Sequence, residues 1–166
     1  IVKTTMSKKL MIYHAPDIEL NSFVSLLKED SVSVKEIKPS YIEDFKSTEV
    51  LKIFLIDEGF AGLMSKKLSE IILSPKYSNA VILISGYREQ NRKKSFDSEK
   101  VFLYLKEPIE DKELRKAIKS GFHYLSTQLK CQILHTELNN RNRELNSINE
   151  IGVILSKEQD YDKVLN

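Results

Sequence analysis

The sequence predicts an α/β fold, a five-stranded parallel doubly wound sheet with an extended C-terminal helix. Three observations predict it. Short apolar runs of strand length alternate with amphipathic stretches of helical period. The third, fourth and fifth runs are almost unbroken apolar, which suits parallel strands covered on both faces. From Asp111 to about Ser156 there is no proline and helix formers dominate. Strand and helix alternating in this way imply right-handed crossovers within one sheet.

The strands are expected at Leu10-Met11-Ile12-Tyr13, Val32 to Ile37, Ile53-Phe54-Leu55-Ile56, Val81-Ile82-Leu83-Ile84 and Val101-Phe102-Leu103-Tyr104-Leu105, each rich in β-branched or aromatic residues. Between them, Ile18, Phe23, Leu26 and Leu27 mark one helical face, and Leu63, Leu68, Ile71 and Ile72 another. Tyr41 to Lys46 and Tyr87 to Phe96 are shorter helix candidates. In the last segment Leu114, Ile118, Phe122, Leu125 and Leu129 recur at three and four, a stripe that first packs on the sheet and then leaves it. A helix of ~45 residues would run nearly 70 Å at the α-helical rise.

Composition bounds the function. With 41% hydrophobic residues in 166, the chain can build one core plus an appendage. The net charge of +2 is the balance of 26 basic and 24 acidic side chains spread along the chain, so neither nucleic acid nor an anionic membrane is expected as a partner. No apolar run approaches the ~20 residues that span a bilayer, and Ile1 to Leu10 has no secretory-signal pattern, so the expected compartment is the cytoplasm. Cys131 stands alone, which excludes an intrachain disulfide and a cysteine-based zinc site within one chain.

In a doubly wound sheet, function gathers at the carboxyl ends of the strands. Those ends carry Tyr13 and His14, Asp57, Ser85, and Lys106 or Glu107. Here the sequence resembles a known family. Phe54-Leu55-Ile56-Asp57 resembles the phosphoacceptor strand of response-regulator receiver domains, in which an aspartate closes an apolar strand. Ile82-Leu83-Ile84-Ser85-Gly86 resembles their fourth strand, and Tyr104-Leu105-Lys106-Glu107-Pro108, followed by Asp111-Lys112-Glu113-Leu114, resembles their fifth strand and last helix. The resemblance covers residues 7–124 and implies that Asp57 is the phosphoacceptor equivalent and that Ser85 and Tyr104 are the switch equivalents.

Two departures alter what the resemblance implies. Receivers end their first strand in an acidic pair that holds Mg²⁺; anchored on Pro16-Asp17, the equivalent positions here are Tyr13 and His14. A hard Mg²⁺ ion needs oxygen ligands and negative charge, which phenol and imidazole do not supply at neutral pH. Asp17 and Glu19 fall within the following helix by this alignment. In the family a lysine directly precedes the proline, whereas here Glu107 does and Lys106 stands one residue earlier. Successive strand side chains point to opposite faces, so Lys106 is expected to aim away and Glu107 to take the lysine site. Phosphoryl transfer rests on positioning and on cations that offset developing charge. The expected reading is a pseudo-receiver, with no cofactor, Mg²⁺ entering only if the receiver is active.

Beyond residue 124 the helix carries a second pattern, assigned to a coiled-coil linker over 111–156. Cys131, Leu138, Leu145 and Gly152 at one seven-residue spacing interleave with Leu134, Arg141, Ile148 and Leu155 at another. This predicts a parallel homodimer through Leu134, Leu138, Leu145, Ile148 and Leu155, with Gly121 and Gly152 as weak points. Ile148 to Ser156 followed by Asp160 to Leu165 resembles the opening of a GAF domain, a helix leading through a Leu-Ser turn into a second helix. Residues 157–166 would be its truncated start. Receiver and GAF resemblances together imply a bacterial multidomain signalling protein with an output domain downstream.

Three functions are weighed. The first is a non-catalytic two-component-type pseudo-receiver that dimerises and controls a downstream domain. The second is a functional receiver phosphorylated on Asp57 by a histidine kinase or engaged by another signalling protein. The third, a flavodoxin-like small-molecule-binding domain, needs a phosphate-cradling loop after the first strand, and His14-Ala15-Pro16-Asp17 offers no glycine for it. No nucleophile elbow, glycine-rich phosphate loop or zinc-protease motif occurs. His14 has no metal-ligand partners at suitable spacing, His123 and His135 lie on the long helix, and the basic run Arg88, Arg92, Lys93, Lys94 lacks interleaved aromatics and reads as a solvated face.

Overall fold

The computed structural model describes residues 9–18, 32–86 and 98–165. Five strands, β1 (Lys9–His14), β2 (Val32–Glu36), β3 (Val50–Asp57), β4 (Asn79–Ser85) and β5 (Leu103–Lys106), form one sheet in the order β2-β1-β3-β4-β5. Every pairing is parallel, so the predicted fold class is the observed one. Among the described residues the α-helices are α1 (Ile42–Lys46), α2 (Glu58–Leu63), α3 (Lys66–Ile72) and α4 (Asp111–Leu165). The helix expected from Phe23, Leu26 and Leu27, the candidate Tyr87 to Phe96 with its basic run, and Glu19 lie outside the described residues.

The two-residue alternation of strand side chains sorts the core into two layers. Ile12, Ile53, Leu55, Ile82, Ile84 and Leu105 lie on one face, under Leu114, Ala117, Ile118, Phe122 and Leu125 of α4. Met11, Tyr13, Phe54, Ile56, Val81 and Leu83 lie on the other, with Phe45 of α1 and Leu68, Ile71 and Ile72 of α3. The chain divides into two units, residues 1–126 and 127–166. The first holds the sheet.

Local chemistry differs from the expectation in four places. Leu63 does not share a face with Leu68: α2 stops at Met64, whose backbone is extended, and Ser65 starts α3 afresh, its Oγ accepting from Leu68 N at 3.2 Å. That interruption resets the helical phase, and Leu63 is left 86% exposed. The fifth strand opens at Leu103, not Val101. The helix does not turn at Leu155-Ser156 but runs on to Leu165, because no proline stands there to break it.

The fourth is Gly121, expected as a weak point of the helix, which is also a packing position. A Cβ there would stand 2.8 Å from Ile53 Cδ1 and 3.6 Å from Phe102 Cε1, so the glycine lets α4 approach β3 closely. Gly121→Val is expected to destabilise the fold by roughly 1–3 kcal/mol through overpacking, more than the few tenths it recovers in helix propensity. Urea denaturation would show it as a lower midpoint, and adding Ile53→Val should return part of the loss.

Candidate functional site at the carboxyl edge of the sheet

The ladders set the site. Asp57 closes β3 opposite Ile84, and Ser85 closes β4 opposite Lys106. The next residue, Glu107, donates its backbone N–H to Ser85 O at 3.0 Å. At the end of β1, Ala15 N donates to Leu55 O at 2.9 Å, two residues before Asp57. His14, Asp57, Ser85 and Glu107 therefore share one edge of the sheet, on four adjacent strands.

Asp57 has a divided carboxylate. Its Oδ1 accepts from Phe60 N at 2.7 Å and caps α2, a local role worth about 1 kcal/mol. Its Oδ2 is buried and has no hydrogen-bond partner among the described residues. The capping role was missed in the sequence, where the only signal is an acidic residue at the junction of a strand and a helical stretch. Ser85 Oγ donates to Leu105 O at 3.3 Å, which ties the end of β4 to the edge strand.

The departures from the receiver pattern have definite places. Tyr13 points into the core, with 2% of its surface exposed. Its ring stacks on Phe54 at 5.3 Å between centroids and meets Phe45 edge-on at 4.8 Å. His14 is half-buried, with Nδ1 2.9 Å from Ala15 O. Asp17 is exposed in a turn closed by Ile18 N donating to Ala15 O at 3.2 Å, and not in a helix. Glu107 precedes Pro108 through a cis peptide and turns its carboxylate to Gly86, where an added Cβ would stand 3.6 Å from Oε2. Lys106 and Tyr104 alternate with the buried Leu105 and are both exposed. The edge thus presents carboxylates at Asp57 and Glu107, an imidazole at His14 and a hydroxyl at Ser85. Among the described residues, no three His, Cys, Asp or Glu side chains are grouped so as to hold a metal ion.

Burial raises the Tyr13 phenol above its ordinary value of 10.0, with the Asp44 carboxylate and then Tyr41 adding to the effect. The folded state then holds a proton that the unfolded state has lost, so this contribution is complete below pH 10 and disappears as pH rises through the folded value. Denaturant titrations are expected to show a steeper fall in stability above pH 10 for the native chain than for Tyr13→Phe.

No family model matches the sequence, and no curated protein matches it. Solved structures do share the fold. One is an uncharacterized protein from Neptuniibacter caesariensis, 19% identical, covering 74% of this chain and 93% of its own, with a TM-score of 0.57. A second is the response regulator StyR, 15% identical, covering 80% and 68%, with a TM-score of 0.60. A third is a CheY-like response-regulator receiver domain protein from Methanospirillum hungatei JF-1, 14% identical, covering 72% and 98%, with a TM-score of 0.52. At such identities the likeness is one of fold. No helix among the described residues is long and apolar enough to cross a membrane.

Proposed function

We propose that this chain is a non-catalytic, two-component-type signalling module, a pseudo-receiver that pairs through its long helix and controls a downstream domain. One observation carries the reading: the two places that would supply cations to a phosphoryl group carry other chemistry. At the end of β1, Tyr13 is packed between Phe54 and Phe45. At the start of the β5 turn, a glutamate stands beside Gly86 where the receiver pattern has lysine. A carboxylate there repels an aspartyl phosphate instead of offsetting the charge that develops in transfer. The receiver fold shared with StyR and the Methanospirillum hungatei protein supports the signalling class.

Pairing rests on the second unit. Leu134, Leu138, Leu145, Ile148 and Leu155 repeat at heptad spacing on α4 and are between 55% and 63% exposed. Apolar stripes of this kind are buried when two helices supercoil. A parallel pair puts whatever follows each helix on the same side, which suits control of an output domain. A place in the cytoplasm belongs to the same reading.

The test is exposure of the full chain to acetyl phosphate with Mg²⁺, followed by intact-mass measurement. No stable phosphorylated species is expected. A second reading, a receiver phosphorylated on Asp57 by a histidine kinase, is favoured by the unpartnered Oδ2 of Asp57. A phosphorylated species that Asp57→Ala abolishes would establish that reading and overturn the first.

A further inference from the structure

The apolar stripe of the second unit changes direction. From Leu134 to Ile148 it is a narrow seam, flanked on one side by polar Glu137, Asn140, Glu144 and Ser147. Past Ile148 the next seam position is Gly152, where nothing lies within 4 Å of an added Cβ. Two nearby side chains, Ile151 and Ile154, are instead apolar and more than half exposed. At about 100° per residue, Gly152 lies about 40° from Ile148 in one sense, while Ile151 and Leu155 lie about 60° and 20° from it in the other. The centre of the stripe therefore rotates about the helix axis at this point.

We infer that the interface with a second copy of this chain steps from Ile148 to Ile151 to Leu155 and bypasses Gly152. The inference rests on the pairing proposed above. A layer of two facing glycines would leave a void on the axis, whereas the step through Ile151 fills that layer with an isoleucine from each chain. Spacings of three, three and four from Leu145 onward amount to a three-residue insertion in the heptad, which overwinds the coil locally. A second copy in parallel register also suits the flanks. Glu137 and Glu144 then face Asn142 and Asn149 of the other chain across the seam, so no like charges oppose each other, and the same glutamates lie four before and three after Arg141 to balance it.

Single cysteines at Leu145, Ile148, Ile151 and Gly152, each in the full chain with Cys131→Ser, test this by oxidative cross-linking on non-reducing gels. Cysteines that face each other across the axis form a disulfide readily, and those whose Cα atoms are more than about 7 Å apart do not. Leu145→Cys, Ile148→Cys and Ile151→Cys are expected to cross-link at similar rates, and Gly152→Cys at least about tenfold more slowly. Cross-linking of Gly152→Cys as fast as Ile151→Cys, with Leu145→Cys and Ile148→Cys still linking, overturns the step and leaves the pairing intact. Failure of Leu145→Cys and Ile148→Cys to link overturns both. Gly152→Leu gives an independent measure: little change in association supports the step, and a tenfold or greater gain places Gly152 in the seam and overturns it.

Discussion

Replacing Lys52 with methionine is expected to lower the unfolding free energy by about 2–4 kcal/mol. Lys52 lies in β3 with none of its surface exposed. Its ammonium donates to the backbone carbonyls of Ser47, of Val50 at 3.1 Å and of Tyr77 at 2.9 Å. Beside it in the sheet, Asn79 Nδ2 donates to Ile71 O at 3.0 Å and to Phe45 O at 3.4 Å. Together the two side chains fasten α1, α3 and their connections to the amino edge of the sheet, opposite the candidate site. Burying an ammonium is costly, and here several oxygens offset that cost. Methionine keeps the volume but gives those carbonyls no donor, and backbone carbonyls cannot be exchanged for apolar groups. Urea denaturation followed by circular dichroism measures the loss. A midpoint unchanged from the native chain would mean that desolvation of the ammonium cancels everything it donates.

The second large effect concerns assembly. The double substitution Leu138→Asp and Leu145→Asp is expected to weaken dimer association by at least about a thousandfold. Four leucines leave the seam of each dimer, each worth roughly 1.5–3 kcal/mol on burial, and every 1.4 kcal/mol is a factor of ten. The new carboxylates would also face each other at small separation. Both positions lie in the second unit, on exposed helix surface, so the sheet unit should keep its circular dichroism and its denaturation midpoint. Light scattering across a concentration series distinguishes the outcomes: a native dimer and a folded monomeric variant are expected. A native chain that stays monomeric at ~100 µM, where a moderate seam of this length should already pair, would make the helix a spacer and remove pairing from the proposed function.

What could be read from the sequence was whatever depends on near neighbours. Strand-length apolar runs at β1, β3 and β4, the α4 start at Asp111 and the alternating order of elements follow from periodicity and propensity, which are local, and they determined the fold class. The carboxyl edge was legible for the same reason, since parallel strands must end on one side and the residues at those ends can be named. The tertiary structure decided what depends on segments far apart in the chain. Lys52 stands just before the apolar run that begins at Ile53, and its role emerges only when Tyr77, 25 residues on, brings its carbonyl to the ammonium. Gly121 reads as a helix breaker until α4 lies against Ile53, and Leu63 reads as core until Met64 and Ser65 reset the helical phase. Asp57 reads as a free acceptor until the first turn of α2 takes one of its oxygens. A pattern of residue types sets which face of an element is apolar; which group meets which is set by the closure of the sheet, because hydrogen bonds and close packing are made only between atoms that the whole chain brings within a few ångströms.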